Sequence, residues 1–265
     1  MKTLMRILVI GRGWTGRKIL AQLKSLGHSV QIVSHERAVE TIKYGNFQWV
    51  VNCAGVTGCP NVDACEQIKT ATIEGNAVFP ILIERVCFEN GARLLHFSSG
   101  CIYMGIIDSV DAEPNYFGSI YSISKGVSDV YLKDKAVVVR VRMPFTGVDE
   151  TKNYLSKVYK YAKTAKLIDS GENSLTDLDE AVIVVCNMLE HNVDNGPYNL
   201  VNSGSITMHE LAVMMGVTPG WFTAEEFRAA TAAGRSTCVI PDSGLMRPVR
   251  EALADAIARM KNGQA

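Results

Sequence analysis

What this chain lacks narrows its function before any motif is read. It carries no surplus of either charge, with Lys plus Arg and Asp plus Glu at 27 each, so neither a nucleic-acid surface nor an acidic solvating tail is expected. Nowhere do about 18 apolar residues run together, and Met1 to Ile10 leads straight into a glycine-rich turn rather than a signal-peptide cleavage site. The seven cysteines, at 53, 59, 65, 87, 101, 186 and 238, are odd in number, form no CxxC pair and sit mostly in apolar stretches. That argues against a disulfide framework or a zinc site and for reduced thiols. Repeats and low-complexity tracts are missing as well. The expectation is a soluble cytoplasmic protein with a small-molecule partner and no membrane, nucleic acid or metal. At 265 residues and 47% hydrophobic it can bury a sizeable core.

Ile7 to Ile10 is a short, wholly apolar run, as in a parallel strand buried on both faces. It ends in GRGWTG, so Gly11, Gly13 and Gly16 make a GxGxxG turn around Arg12, Trp14 and Thr15. A helix with apolar Ile19, Leu20, Leu23 and Leu26 follows, closed by Gly27. In that setting glycine lets the backbone approach a pyrophosphate, and the helix N-terminus faces its negative charge. The second strand, His28 to Val33, should end at the adenosine ribose, where an Asp or Glu would select NAD. Ser34 and His35 stand there instead, with Arg37 close by and Arg12 in the loop, which favours the 2′-phosphate of NADP. Glu36 keeps NAD open, and both arginines can equally be read as solvated surface charges. Between Val33 and the third strand, Trp49 to Val51, there is room for one short helix near Val39 to Tyr44, so a strand usual in such sheets is expected to be missing. Asn52 then leaves the strand into a run of small residues, Ala54, Gly55 and Val56, against which a flat cofactor can lie.

The next strand, Leu94 to Phe97, carries HFSSGCIY, and YSISK follows at Tyr121 to Lys125. Tyr-x-x-x-Lys places both side chains on one helix face. An ordinary phenol with a pKa of about 10 trades protons near neutrality only if a cation such as Lys125 lowers that value. Ser99 would hydrogen-bond the same substrate oxygen. The alternative is an ordinary amphipathic pair. Helix Tyr121 to Leu132 and strand Val137 to Val141 complete the expected cofactor domain, residues 1–144. The expected fold is therefore α/β, a Rossmann-type doubly wound parallel sheet. A smaller α/β substrate-binding lobe, residues 145–265, should pack on its carboxyl edge. In that lobe Asn153 to Lys163 reads as a helix, and Thr207-x-x-Glu210 and Thr223-x-x-Glu226 as capping boxes.

These residues resemble the extended short-chain dehydrogenase/reductases that act on nucleotide sugars, and within them the bifunctional NDP-4-keto-6-deoxyglucose 3,5-epimerase/4-reductases of rhamnose synthesis. The stretches that carry the likeness are Ala54 to Glu66, Ser98 to Tyr103, Pro114 to Lys125, Arg140 to Pro144 and Asn153 to Val158. The resemblance implies Ser99, Tyr121 and Lys125 for reduction, Cys101 and Lys157 as the acid/base pair of epimerisation, and Thr57, Ser99, Gly100, Met143 and Asn153 around the sugar. It also implies NADPH as cofactor, a nucleotide sugar as substrate and a homodimer among the open assembly states. Cys101 matches the cysteine of GDP-fucose synthases too, although those use His where this chain has Lys157. Two departures stand out. The glycine loop is one residue shorter than the group's GxxGxxG, and IPDSGL, Ile240 to Leu245, replaces a segment that usually carries Arg and Asn. The dehydratases of the group place an Asp-Glu pair after the catalytic hydroxyl, where this chain has Gly100 and Cys101. Read from the residues alone, Cys101 offers a thiol, a group that can trade a proton with a carbon beside a ketone, or else is a buried structural cysteine. Lys157 shares its helix with Lys160 and Lys163, which a solvated face would also explain. Reduction alone, and a cofactor-binding regulator without chemistry, remain the competing functions.

Overall fold

The computed structural model describes residues 4–59 and 61–263. Strand and helix alternate from the start: β1 (Arg6–Ile10), α1 (Trp14–Ser25), β2 (Ser29–Val33), α2 (His35–Gly45) and β3 (Trp49–Asn52). A 3₁₀ turn at Val62–Gln67 leads into one long helical stretch, made of α3 (Lys69–Ile73), a π-helical turn at Glu74–Val78 and α4 (Phe79–Glu89). Then come β4 (Arg93–Ser99), a 3₁₀ turn at Gly100–Ile102, β5 (Gly105–Ile106), α5 (Ile120–Leu132), β6 (Val137–Val141) and β7 (Pro144–Phe145). The remainder holds α6 (Tyr154–Thr164), β8 (Lys166–Ile168), β9 (Thr176–Asp177), α7 (Leu178–Glu190) and β10 (Gly196–Asn199). It ends with α8 (Met208–Met215), β11 (Gly220–Phe222), α9 (Ala224–Ala230), β12 (Cys238–Val239) and α10 (Val249–Gly263).

Six strands form one parallel sheet in the order β10-β6-β4-β3-β1-β2. The period-two side-chain alternation divides its core in two. Ile7, Val9, Val51, Leu95 and Val139 face α1 and α7, while Leu8, Ile10, Val50, Leu94 and Val138 face α2, α4 and α5. Helices on both faces explain why these strands read as unbroken apolar runs. β2 is the sheet's edge, and only α2 lies between it and β3, as the short connection predicts.

The chain does not divide at residue 144. β10 pairs with β6 in register from Gly196↔Val137 to Asn199↔Arg140, and α7 packs Leu178, Val182, Val185 and Leu189 into the sheet's core. Both therefore belong to the sheet layer, because without them the apolar far side of β6 and much of one sheet face would be bare. The second lobe has its own core, built on Phe145, Leu155, Val158, Leu211, Leu253 and Ile257, and is made of α6, α8, α10 and the short strands around them. Both capping boxes are present, with Thr207 and Thr223 each accepting from the Glu three residues on.

Candidate active site

The site lies where the chain reverses across the sheet, between β1 and β3, and continues along the carboxyl end of β4. Gly11 leaves β1 at φ +102°, a conformation glycine takes at little cost, and a Cβ on it would sit 2.8 Å from the Ala54 nitrogen. A Cβ on Gly16 would sit 1.9 Å from the Gly11 oxygen. Both glycines thus press the turn onto β3, whereas Gly13, the N-cap of α1, has nothing within 4 Å of where its Cβ would be. The first turn of α1 carries no acidic residue, and Trp14 and Thr15 are half-buried beside it. Open backbone at an uncompensated helix N-terminus suits a dinucleotide's pyrophosphate.

At the end of β2, Ser34 stands at the N-cap position of α2 without a side-chain capping bond, and its hydroxyl hydrogen-bonds the Glu36 carboxylate instead. That bond, then the backbone N–H, holds the Glu36 carboxyl below the usual range, with His35 and Arg12 adding positive charge. His35 lies edge-on to Phe79 and 3.4 Å from Glu36. Arg37 turns along its own helix to Glu40 at 3.2 Å. Of the two arginines expected at the ribose, the structure brings Arg12 into this cluster and ties Arg37 to α2.

Under the cofactor edge, the Asn52 side chain accepts from the Ala54 N–H at 3.0 Å and meets His96 at 3.2 Å. Burial, with Lys125 adding to it, holds His96 neutral. Asn76, to which the sequence alone assigns no role, stands in the π-helical turn and clamps Val56, accepting from its N–H and donating to its oxygen, both at 2.8 Å. Its amide also donates to Ser124 at 3.3 Å. A π turn in a helix is the kind of irregularity that accompanies function. A Cβ on Gly55 would stand 3.3 Å from the Lys125 ammonium nitrogen.

Ser99 ends β4, 4% exposed, and hydrogen-bonds the phenol of Tyr121 in the first turn of α5. Lys125, one turn on and equally buried, donates to the Phe97 oxygen at 3.0 Å. The lowering of the phenol expected from Lys125 is not what this geometry produces. Burial holds Tyr121 well above the ordinary phenol value, Cys101 adds to that, and Ser99 alone among its neighbours pulls it down. The Lys125 ammonium points at the sheet, and burial pushes it down to about 8, against Asp129 and Cys53. Near neutral pH the site therefore holds a protonated phenol beside a charged amine. This is the proton-donating form.

Cys101 follows Ser99 on the 3₁₀ turn rather than on the strand, half-buried. Arg142 donates to its sulfur at 3.5 Å. Tyr121, Tyr116 and Tyr154, the last at the start of α6, stand near it. Lys157 lies one turn beyond Tyr154, half-buried, and burial lowers it, then the neighbouring Lys152, with Cys59 opposing. Lys152 donates to Thr57 at 3.3 Å, so this stretch faces the 57–59 loop. The structure thus places Lys152 and Cys59 beside Lys157. Gly100 is buried and packs against Arg142 and Ile240. Met143 takes φ +43° before Pro144 and leans on the second lobe's core. Asn153 is a correction: it is fully buried, accepts from the Leu155 N–H and donates to the oxygens of Thr146 and Val148. Its side chain starts α6 and has nothing left for a sugar.

Comparison with known proteins follows this geometry. The profile described as RmlD substrate binding domain matches residues 5–232. A trifunctional UDP-glucose 4,6-dehydratase/UDP-4-keto-6-deoxy-D-glucose 3,5-epimerase/UDP-4-keto-L-rhamnose-reductase of Arabidopsis thaliana is 29% identical over 96% of this chain, which spans 41% of that relative's length. A bifunctional dTDP-4-dehydrorhamnose 3,5-epimerase/dTDP-4-dehydrorhamnose reductase of the same plant is 32% identical over 86% of this chain and 82% of its own. Among solved structures, the L780 UDP-rhamnose synthase of Acanthamoeba polyphaga mimivirus superposes with a TM-score of 0.87 at 21% identity, covering 97% of this chain and all of that one. The dTDP-4-dehydrorhamnose reductase of Bacillus anthracis, in complex with NADP, superposes with a TM-score of 0.81 at 17% identity, covering 98% of this chain and all of that one.

Proposed function

Since this chain belongs to the family described as RmlD substrate binding domain, we propose that it is a nucleotide-sugar 3,5-epimerase/4-reductase, converting an NDP-4-keto-6-deoxyhexose to a rhamnose-like NDP-6-deoxyhexose. The observation that carries the reading is the set of buried Ser99 and Lys125 with half-buried Tyr121, and Cys101 on the adjoining turn. NADPH supplies the hydride when bound. Gly11, Gly13 and Gly16 would hold its pyrophosphate, and Arg12, Ser34 and His35 its 2′-phosphate. Glu36 is the group they must outweigh there, so NAD remains the competing cofactor. The NADP-bound neighbour supports NADPH.

Tyr121 gives its proton to the sugar's 4-keto oxygen as that oxygen gains charge, and Ser99 shares the charge through its hydroxyl. Lys125 keeps a positive charge below them and reaches the cofactor edge at Gly55. The same ketone acidifies the carbons on either side of it. Cys101 and Lys157 would remove and return protons there. The likeness to a relative named as a bifunctional 3,5-epimerase and reductase supports that part. Reduction alone is the second reading, favoured by the placement of Lys157 beside Lys152 and Cys59.

One experiment separates them. In heavy water without NADPH, the wild type should place deuterium at C3 and C5 of the keto sugar, and Cys101→Ser and Lys157→Ala should each suppress it. With NADPH and keto sugar already epimerised, both variants should still turn over, while Tyr121→Phe should lose at least the roughly 10²–10⁴-fold of general acid catalysis. No deuterium in the wild type reduces the protein to a plain reductase. Near-normal turnover by Tyr121→Phe overturns the assignment of the phenol.

A further inference from the structure

Two arginines stand two residues apart at the end of β6, and they are held differently. Arg140 meets Asp129 at 2.6 Å, both buried, in an ordinary compensated ion pair. Arg142 is 0% exposed and has no carboxylate within ion-pair distance among the described residues. Its guanidinium donates to the Gly100 oxygen at 3.4 Å, to the Ser236 hydroxyl at 3.0 Å, to the Ser236 oxygen at 2.8 Å and to the Asn173 amide oxygen, all neutral acceptors. Its Nε has no partner. The remaining contact is the Cys101 sulfur at 3.5 Å. A buried cation without an opposite charge is costly, so a site that keeps one has a use for an anion there.

We propose that Arg142 is the counter-charge of Cys101, the cation that carries the negative charge on that sulfur each time the thiol gives up its proton. The proposal rests on Cys101 as a proton carrier and deepens that reading. In the step concerned, the thiolate takes hydrogen from a carbon beside the ketone. The C–H bond breaks, the S–H bond forms, and the electron pair moves toward the keto oxygen held by Ser99 and Tyr121. Arg142 is 0% exposed and acts through Cys101, which makes it a positioning residue. The other titratable groups facing the sulfur are Tyr121 from α5, Tyr116 from the loop before it, Tyr154 from α6 and Cys238 from β12. Burial raises all four, to about 12 for Tyr154 and about 11 for Cys238, so they stay neutral near pH 7 and leave the charge to Arg142.

The test is the rate of Cys101 alkylation by iodoacetamide as a function of pH, read by mass spectrometry of the Cys101 peptide, because the thiolate is the reacting form. Arg142→Met should move the half-rise upward by at least about one pH unit, which is about tenfold in rate below it. Arg142→Lys, which keeps the charge, should recover most of that. A Met variant that overlays the wild type overturns the proposal, and so does a Lys variant shifted as far as Met. Should Arg142→Met not fold, the wild type decides against a free Ser-Gly-Cys-Ile-Tyr peptide. A half-rise at least about one unit below the peptide's is expected, and coincidence of the two overturns the proposal. No sugar is present in this assay, so its outcome is independent of whether the chain epimerises, which the deuterium experiment decides.

Discussion

Lys125 is buried where a charge is costly, and its ammonium is pushed from 10.5 down to about 8. At pH 7 the amine is charged in both folded and unfolded chains, so the folded state bears the whole penalty, roughly 3 kcal/mol at about 1.4 per unit. Between about pH 8 and about 10.5 the unfolded chain binds the extra proton, and the contribution of this group to stability rises with pH. Lys125→Met should therefore melt higher than the wild type at pH 7, with the difference shrinking toward pH 10, while losing activity. A Met variant less stable at pH 7 would show that the bond to the Phe97 oxygen outweighs the charge. The Ser99, Tyr121 and Lys125 set was legible in the sequence because its spacing is itself the chemistry. Arg142 and Asn76 were not. Each stands inside a stretch whose pattern reads as strand end or helix, and what singles them out, a missing carboxylate and a clamp on Val56, exists only after distant segments meet.

For the elements, apolar runs and caps announced most of the order, and boundaries moved by a residue or two. α2 begins at His35 rather than near Val39, since Ser34 takes the N-cap. Asn153 misled for a reason of the same kind: an Asn before a helix is as good a cap as a sugar ligand, and sequence does not separate the two. Asn153→Ala should cost about 2–4 kcal/mol, the cap plus two buried carbonyls left unpaired, measured by urea unfolding. NADPH affinity should hold. A large rise in sugar KM at unchanged stability would instead return Asn153 to the substrate.

Across the whole molecule, the second lobe is tied to the first by a short strap. Arg235 pairs with Asp63 at 2.7 Å, the Ala233 N–H donates to the same carboxylate, and Gly234 donates to the Gly118 oxygen. Burial works to raise Asp63, but the Arg235 and Ala233 bonds prevail and hold it low. Its contribution is thus present above the ordinary carboxylate value and fades as pH falls through the lower folded one. Because the pair is only partly buried, Asp63→Ala should change stability by no more than about 1 kcal/mol. It should instead raise sugar KM several-fold with cofactor binding unchanged, as steady-state kinetics and a titration would show. An unchanged KM would make the strap a passive tether.

β10 arrives late. The ribosome must deliver residues through Asn199 before the hydrophobic flank of Val137–Val139 gains its last neighbour. Until then a nascent chain that has already paired β1 to β4 exposes a sticky, half-finished border, open to intermolecular pairing. The expected maturation is therefore a single late closure and not the successive completion of two units. Pulse-labelled hydrogen exchange during refolding should find the β6 and β10 amides gaining protection together, after those of β1 and β3. Early protection of β6 by itself would mean that the border is shielded by something other than the returning strand.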